Sequence, residues 1–170
     1  MKKLKIERAI VSVSDKRKLD VLSDYLTKNK IKVYSTGGTY QYLKKISHDL
    51  EIQEISDFTK FNEILDGRVK TLHPFIFSGI LAKTNNKLHQ QQIHKINVPN
   101  FDLVVVNLYP FEKVSKNKSS EAECIENIDI GGPSLIRAAA KNFYGTTVLT
   151  DPDQYDNFIH IANINQNEIP

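Results

Sequence analysis

Apolar runs alternate along the chain with stretches in which apolar side chains recur every three or four positions. Ala9-Ile10-Val11-Ser12-Val13 is a short β-branched run and predicts a buried strand. From Lys16 to Lys28, Leu19, Leu22 and Leu26 fall on one face and predict a helix. Ile31-Lys32-Val33-Tyr34 reads as a second strand, Gly37-Gly38 punctuates it, and Thr39 to Lys45 reads as a helix. Ile52 to Ile55 reads as a third, shorter strand. Phe75 to Leu81 is apolar and is read as a strand, while Lys83 to Gln92 is polar, with a helix extending to Ile93. Leu103-Val104-Val105-Val106-Asn107 is the clearest strand, and such branched runs suit a parallel sheet covered on both faces. Glu121 to Asn127 and Ser134 to Asn142 read as helices. Thr147-Val148-Leu149 is the last strand, and Pro152 opens a final helix.

Strand followed by helix, repeated, predicts an α/β fold with a mainly parallel central sheet flanked by helices on both faces. There is no internal repeat. Lys113 to Ser120 reads as a polar loop too short to divide domains, so residues 1–170 are read as one domain. Asn163 to Pro170 is polar, carries no packing signal and reads as an end that runs on into something else. In sheets of this kind ligands gather at the carboxyl ends of the strands.

The strand ends carry the candidate chemistry. The first strand runs into Ser14-Asp15-Lys16 and the second into Ser35-Thr36-Gly37-Gly38-Thr39. Each places hydroxyls and backbone N–H groups before a helix, where unpaired amides and the helix dipole favour a phosphate. Ser14 or Asp15 as a mere helix cap, and Gly37-Gly38 as a mere turn, are equally open locally. Asp66-Gly67-Arg68-Val69-Lys70-Thr71-Leu72-His73-Pro74 brings two cations, a hydroxyl and an imidazole together. If this stretch is extended, Arg68 and Lys70 face the same way, and Pro74 holds His73 extended. Such a segment can grip an anion, or be a solvated basic loop. Asn107-Leu108-Tyr109 follows the clearest strand, where Tyr109 either relays a proton or packs beside Phe111. Asn127-Ile128-Asp129-Ile130-Gly131-Gly132-Pro133 sets a carboxylate between two isoleucines, which suggests desolvation and a general base. Arg137 and Lys141 lie four apart on the next helix. The alternative makes Asp129 a helix-approach cap and Lys141 a partner of the helix C-terminus.

Composition narrows the classes. The 40% hydrophobic and 25% charged fractions are those of a globular protein. One cysteine, Cys124, excludes an internal disulfide framework and any cysteine-based metal site. The histidines offer no metal-ligand spacing, so no metal is expected. A net charge of +3 spread over dispersed lysines points to small anions rather than nucleic acid. No apolar run reaches the ~20 residues of a membrane span, and the opening residues lack the apolar core of a signal peptide. A soluble, cytoplasmic protein is expected.

Taken in order, S-V-S-D-K, S-T-G-G-T, D-G-R-V-K-T-L-H-P, N-L-Y-P-F, N-I-D-I-G-G-P and R-A-A-A-K-N resemble the N-terminal domain of the PurH family of bifunctional purine-biosynthesis enzymes. The resemblance covers about residues 8 to 155. It implies a methylglyoxal-synthase-like fold and an IMP cyclohydrolase activity. The implied substrate is 5-formamidoimidazole-4-carboxamide ribotide (FAICAR), which closes to inosine monophosphate (IMP). It places the family's catalytic residues on Lys70, Tyr109, Asp129 and Lys141. The 5′-phosphate is expected near Ser14, Lys16 and the Ser35 to Thr39 loop. Arg68, Thr71, Asn107, Leu108, Gly131 and Gly132 complete the expected substrate contacts. No cofactor is implied, and a homodimer is. The family's formyltransferase domain, which uses 10-formyltetrahydrofolate, has no counterpart in these 170 residues, so formyl transfer is not assigned to this chain. Methylglyoxal synthase, and a regulatory module binding a phosphorylated effector, remain alternatives on the same fold.

Overall fold

The computed structural model describes residues 3–117 and 119–170. Its strands are β1 (Leu4–Lys5), β2 (Arg8–Val13), β3 (Lys32–Ser35), β4 (Ile52–Glu54), β5 (Leu103–Asn107), β6 (Thr147–Leu149) and β7 (Glu168–Ile169). Its helices are α1 (Leu19–Lys28), α2 (Gly37–Ile46), α3 (Ile55–Thr59), α4 (Pro74–Leu81), α5 (Lys87–Lys95), α6 (Phe111–Lys116), α7 (Glu121–Glu126), α8 (Gly131–Lys141) and α9 (Tyr155–Ile164). A 3-10 turn at Pro152–Gln154 leads into α9.

Five strands form one parallel sheet in the order β4-β3-β2-β5-β6. Side chains alternate across it. Ala9, Val11, Val13, Leu103 and Val105 face one cluster with Leu19, Leu22 and Leu26 of α1, Leu43 of α2 and Phe158 of α9. Ile10, Val104 and Val106 face the other, with Ile76 and Ile80 of α4 and Leu135, Ala138 and Ala139 of α8. Both faces are thus covered, which is why the strands are apolar throughout rather than alternating.

Three expectations need correction. Phe75 to Leu81 is helical, not a strand. Pro74 occupies the first turn, and the His73 ring nitrogen Nδ1 accepts from the Phe75 N–H at 3.2 Å. Ile76, Gly79 and Ile80 then bury one face. A short apolar run does not separate helix from strand by periodicity. Proline at the first helical turn was the signal to weigh. Here Gly79 lets α4 approach closely, since a Cβ would stand 2.5 Å from the Phe101 ring and the Pro99 carbonyl. Secondly, Lys113 to Ser120 is not all loop, because α6 runs to Lys116; Lys118 lies outside the described residues. Thirdly, the tail does pack. Glu168–Ile169 pairs antiparallel with Leu4–Lys5, and the Asn167 side chain donates to the Ile6 carbonyl at 2.8 Å.

At the edge of the sheet remote from its carboxyl ends, Asp102 is buried, its Oδ2 accepting from the N–H groups of Glu7 and Arg8, both at 3.0 Å. Burial pushes its carboxyl up to about 6, against an ordinary 3.8, and the two hydrogen bonds offset only part of this. The folded chain therefore holds a proton that the unfolded chain has already released. The stabilisation is complete below about pH 3.8 and is lost as pH rises through about 6, amounting to about 3 kcal/mol. Denaturant titrations from about pH 4 to pH 7 should show Asp102→Asn flattening this part of the profile. An unaltered slope would assign it to other groups.

Candidate active site

A cleft of about 660 Å³ opens at the carboxyl ends of β2, β3 and β5. The chain winds outward from β2 to β3 and β4, then crosses back to place β5 on the other side of β2. Doubly wound sheets carry their ligand crevice where the winding reverses in this way.

Asn107, the last residue of β5, shapes the first wall. Its Oδ1 accepts from the N–H groups of Ser14 (2.7 Å) and Asp15 (2.8 Å), and its Nδ2 donates to the Asp15 carbonyl (2.8 Å). The side chain expected to touch substrate thus lines the cleft and also holds the loop after β2. Asp15 in turn accepts from the backbone and guanidinium of Arg17, which hold its carboxyl below the usual range. It caps no helix, and α1 begins only at Leu19. Ser14 and Lys16 remain in the cleft wall.

The second wall is the start of α2. Its N-cap, Thr36, makes no side-chain capping bond, and the first turn holds no acid. The orphan amides therefore have no internal acceptor and favour an anion. The hydroxyls around them serve the frame. Ser35 is buried and donates to the Val11 carbonyl at 2.7 Å. Thr39 Oγ1 accepts from Val13 N–H at 3.1 Å and donates to Val13 O at 3.0 Å. At this strand end the groups left without an internal partner are thus backbone amides rather than these two hydroxyls.

The third wall is not the extended rod that the sequence suggested. Residues 64–69 form a tight hairpin closed by an Ile64↔Val69 bridge, with Leu65, Asp66 and Gly67 at positive φ. Arg68, Lys70 and Thr71 still line the cleft. Arg68 pairs with Glu126 at the end of α7, closing the mouth between hairpin and helix. Both partners are largely exposed, so the pair is worth ~0–1 kcal/mol and a ligand anion can displace it. Lys70 Nζ lies 3.9 Å from Glu63 Oε2. His73 does not line the cleft; it caps α4.

Tyr109, Asp129, Gly131 and Gly132 form the fourth wall. Asp129 Oδ1 accepts from the Gly132 N–H at 2.7 Å, so the carboxylate also caps α8 and leaves Oδ2 for other work. Its flanking Ile128 and Ile130 are 53% and 57% exposed, and so do not dehydrate it as expected. Leu108 stands outside the cleft lining, with its Cδ2 2.7 Å from where a Cβ on Gly132 would be. Asp66 and Asn127, which open the two motif stretches, also line the cleft, as does Glu126, which the sequence does not single out because nothing local marks a short exposed helix as a cleft wall.

Lys141 is not brought in. It ends α8, is exposed, and sits ten residues from Gly131, about 15 Å along the helix axis. The expected orientation of Asp129 by Lys141 is therefore not made within this chain. Lys141 instead occupies the C-terminal turn of α8, where a cation suits the dipole.

The fold is a five-stranded parallel sheet flanked by helices, with a cleft at its carboxyl edge, and the chain belongs to the MGS-like domain family, whose model matches residues 19–134. Among known proteins it is similar to the bifunctional purine biosynthesis protein PurH of Clostridium kluyveri, 52% identical over 155 residues that cover 91% of this chain and 30% of that protein. PurH of Leptospira biflexa is 46% identical over 167 residues, covering 98% of this chain and 32% of that protein. The chain thus spans about a third of the length of these relatives. Among solved structures, the crystal structure of ForH superposes with a TM-score of 0.80 at 32% identity, covering 95% of this chain and 82% of that one.

Proposed function

We propose that the cleft binds a purine ribotide and that the chain acts in purine biosynthesis as an IMP cyclohydrolase, closing FAICAR to IMP with loss of water. The observation that carries this reading is the convergence, in one cleft, of the uncapped N-terminus of α2, the cations Lys16 and Lys70, and the carboxylate of Asp129. The similarity to bifunctional purine biosynthesis proteins supports the pathway, and the motif resemblance suggests the cyclohydrolase step.

The 5′-phosphate docks on the amides of Gly37 and Gly38 beside Lys16 and Lys70. Ring closure joins the carboxamide nitrogen to the formyl carbon of the same substrate. The carboxamide nitrogen gives up one proton as it bonds to the formyl carbon, the formamide N–H gives up the other as the ring C=N bond forms, and the formyl oxygen takes both and leaves as water. An amide nitrogen is a weak nucleophile, so a base must assist it. Asp129, fixed through Oδ1, offers Oδ2. Lys70 and Tyr109 neutralise the formyl oxygen as it becomes anionic and pass a proton to the departing water. Acid–base help of this kind is worth about 10²–10⁴-fold, and an oxyanion donor a further ~10²–10³-fold. No cofactor enters the scheme. The protein works in the cytoplasm as a homodimer on this reading, without nucleic acid or membrane partners. Formyl transfer is not assigned to this chain.

The test is to mix the purified chain with FAICAR and follow IMP by absorbance. IMP formation supports the reading. Phosphate release from dihydroxyacetone phosphate instead would assign methylglyoxal synthase. Tight IMP binding with no turnover would leave a regulatory module.

Lys141 provides a separate check. Because it lies off the cleft, Lys141→Ala is expected to keep turnover within about threefold. A loss of tenfold or more would mean that α8 rearranges, or that a second copy delivers the ammonium group.

A further inference from the structure

We propose that Glu63 is a positioning residue for Lys70, holding its ammonium group over the start of α2; the role rests on the reading of the cleft given above. Glu63 does not line the cleft and so acts only through the lysine.

The hairpin geometry puts the two side chains together. Ile64 N–H donates to Val69 O at 3.2 Å, and Val69 N–H donates to Ile64 O at 3.3 Å. Continuing that antiparallel register by one step sets Glu63 opposite Lys70, the arrangement in which cross-strand side chains meet. Glu63 Oε2 lies 3.9 Å from Lys70 Nζ. The turn makes room for the pair. A Cβ on Gly67, whose φ is +86°, would stand 2.9 Å from Glu63 Oε1 and 3.6 Å from Lys70 Nζ.

Electrostatics explains why a carboxylate is needed. Lys70 Nζ lies 3.8 Å from where a Cβ on Gly37 would be, so the ammonium group sits beside the first turn of α2. That end of a helix is positive and repels a cation. No acid on α2's own first turn offsets the repulsion. A lysine is a flexible chain of four carbons and would swing toward water when the cleft is empty. Glu63 supplies the opposing charge from the other arm of the hairpin. Lys70 is then already in place when a phosphorylated ligand arrives between it and the amides.

The experiment is a double-mutant cycle on the full chain, read as FAICAR turnover and as IMP affinity by calorimetry. Glu63→Gln is expected to lower kcat about three- to tenfold, with Tm within about 2 °C of the parent. Glu63→Asp, which keeps the charge, should recover at least about half of the loss. In a Lys70→Gln background, Glu63→Gln should cost nothing further. Equal fractional losses with and without Lys70, or no loss at all, would overturn the proposal. If the parent binds IMP without turning over FAICAR, the cyclohydrolase reading fails alone, and the same coupling must appear in the IMP affinities. If it neither binds IMP nor turns over FAICAR, both readings fail.

Discussion

Asp129→Asn is expected to lower FAICAR turnover by about 10²–10⁴-fold while leaving the fold unchanged. Asparagine keeps an oxygen where Asp129 Oδ1 accepts the Gly132 N–H, so the start of α8 stays capped. What is lost is a second carboxylate oxygen able to take a proton. The substitution therefore separates the two roles that the sequence left open, helix cap and base. Thermal melting should be within a few degrees of the parent, and IMP should still bind, because phosphate recognition lies with α2, Lys16 and Lys70. Turnover within threefold of the parent would leave Asp129 as a cap alone and remove it from the chemistry.

Lys70→Ala is expected to be the second large loss, about 10²–10³-fold in kcat. The position of Nζ beside Gly37 adds an effect that the residue order does not suggest. The ammonium group also faces the phosphate site, so KM should rise by about tenfold, the scale of one charge-assisted contact. Steady-state kinetics together with IMP calorimetry would divide the two contributions. A rise in KM with kcat unaltered would make Lys70 a binding residue only. Turnover and binding both equal to the parent's would remove it from the site.

The elements that were legible from the residues share one physical cause. Leu103 to Asn107 and Ala9 to Val13 are buried on both faces, so their hydrophobicity does not depend on what neighbours them, and their strand character is written locally. Leu19, Leu22 and Leu26 bury one face of α1 at helical spacing, and this too is local. Phe75 to Leu81 reads as a strand because α4 is apolar on nearly every side. It packs one face on the sheet, while Phe75 reaches a separate small cluster with Ala82, Ile93 and Val98. No period survives in such a stretch. Within the site, the motif resemblance points to Lys70, Tyr109 and Asp129, and all three line the cleft. Lys141 was named on the same basis and lies at the far end of its helix.

Asn107 and Ser35 show where local reading stops. Both stand at strand ends where ligands gather, and both have side chains suited to recognition. Their hydrogen bonds go instead to backbone groups on the adjacent strand or its loop, at Ser14, Asp15 and Val11. Those partners are 24 to 93 residues away in sequence. The same holds for Arg68 and Glu126, which are 58 residues apart and meet only because the hairpin and α7 face each other across the cleft.

The sequence by itself determined the alternation of strand and helix, the parallel sheet, the strand ends at which the cleft opens, and the residue types available there. Tertiary structure alone decided which of those groups are free for chemistry and which are consumed by the frame, and it moved Lys141 out of reach. The reason is that a hydrogen-bonding group has few partners to spare, and the nearest one in space is set by how strands are ordered in the sheet rather than by how residues are ordered in the chain.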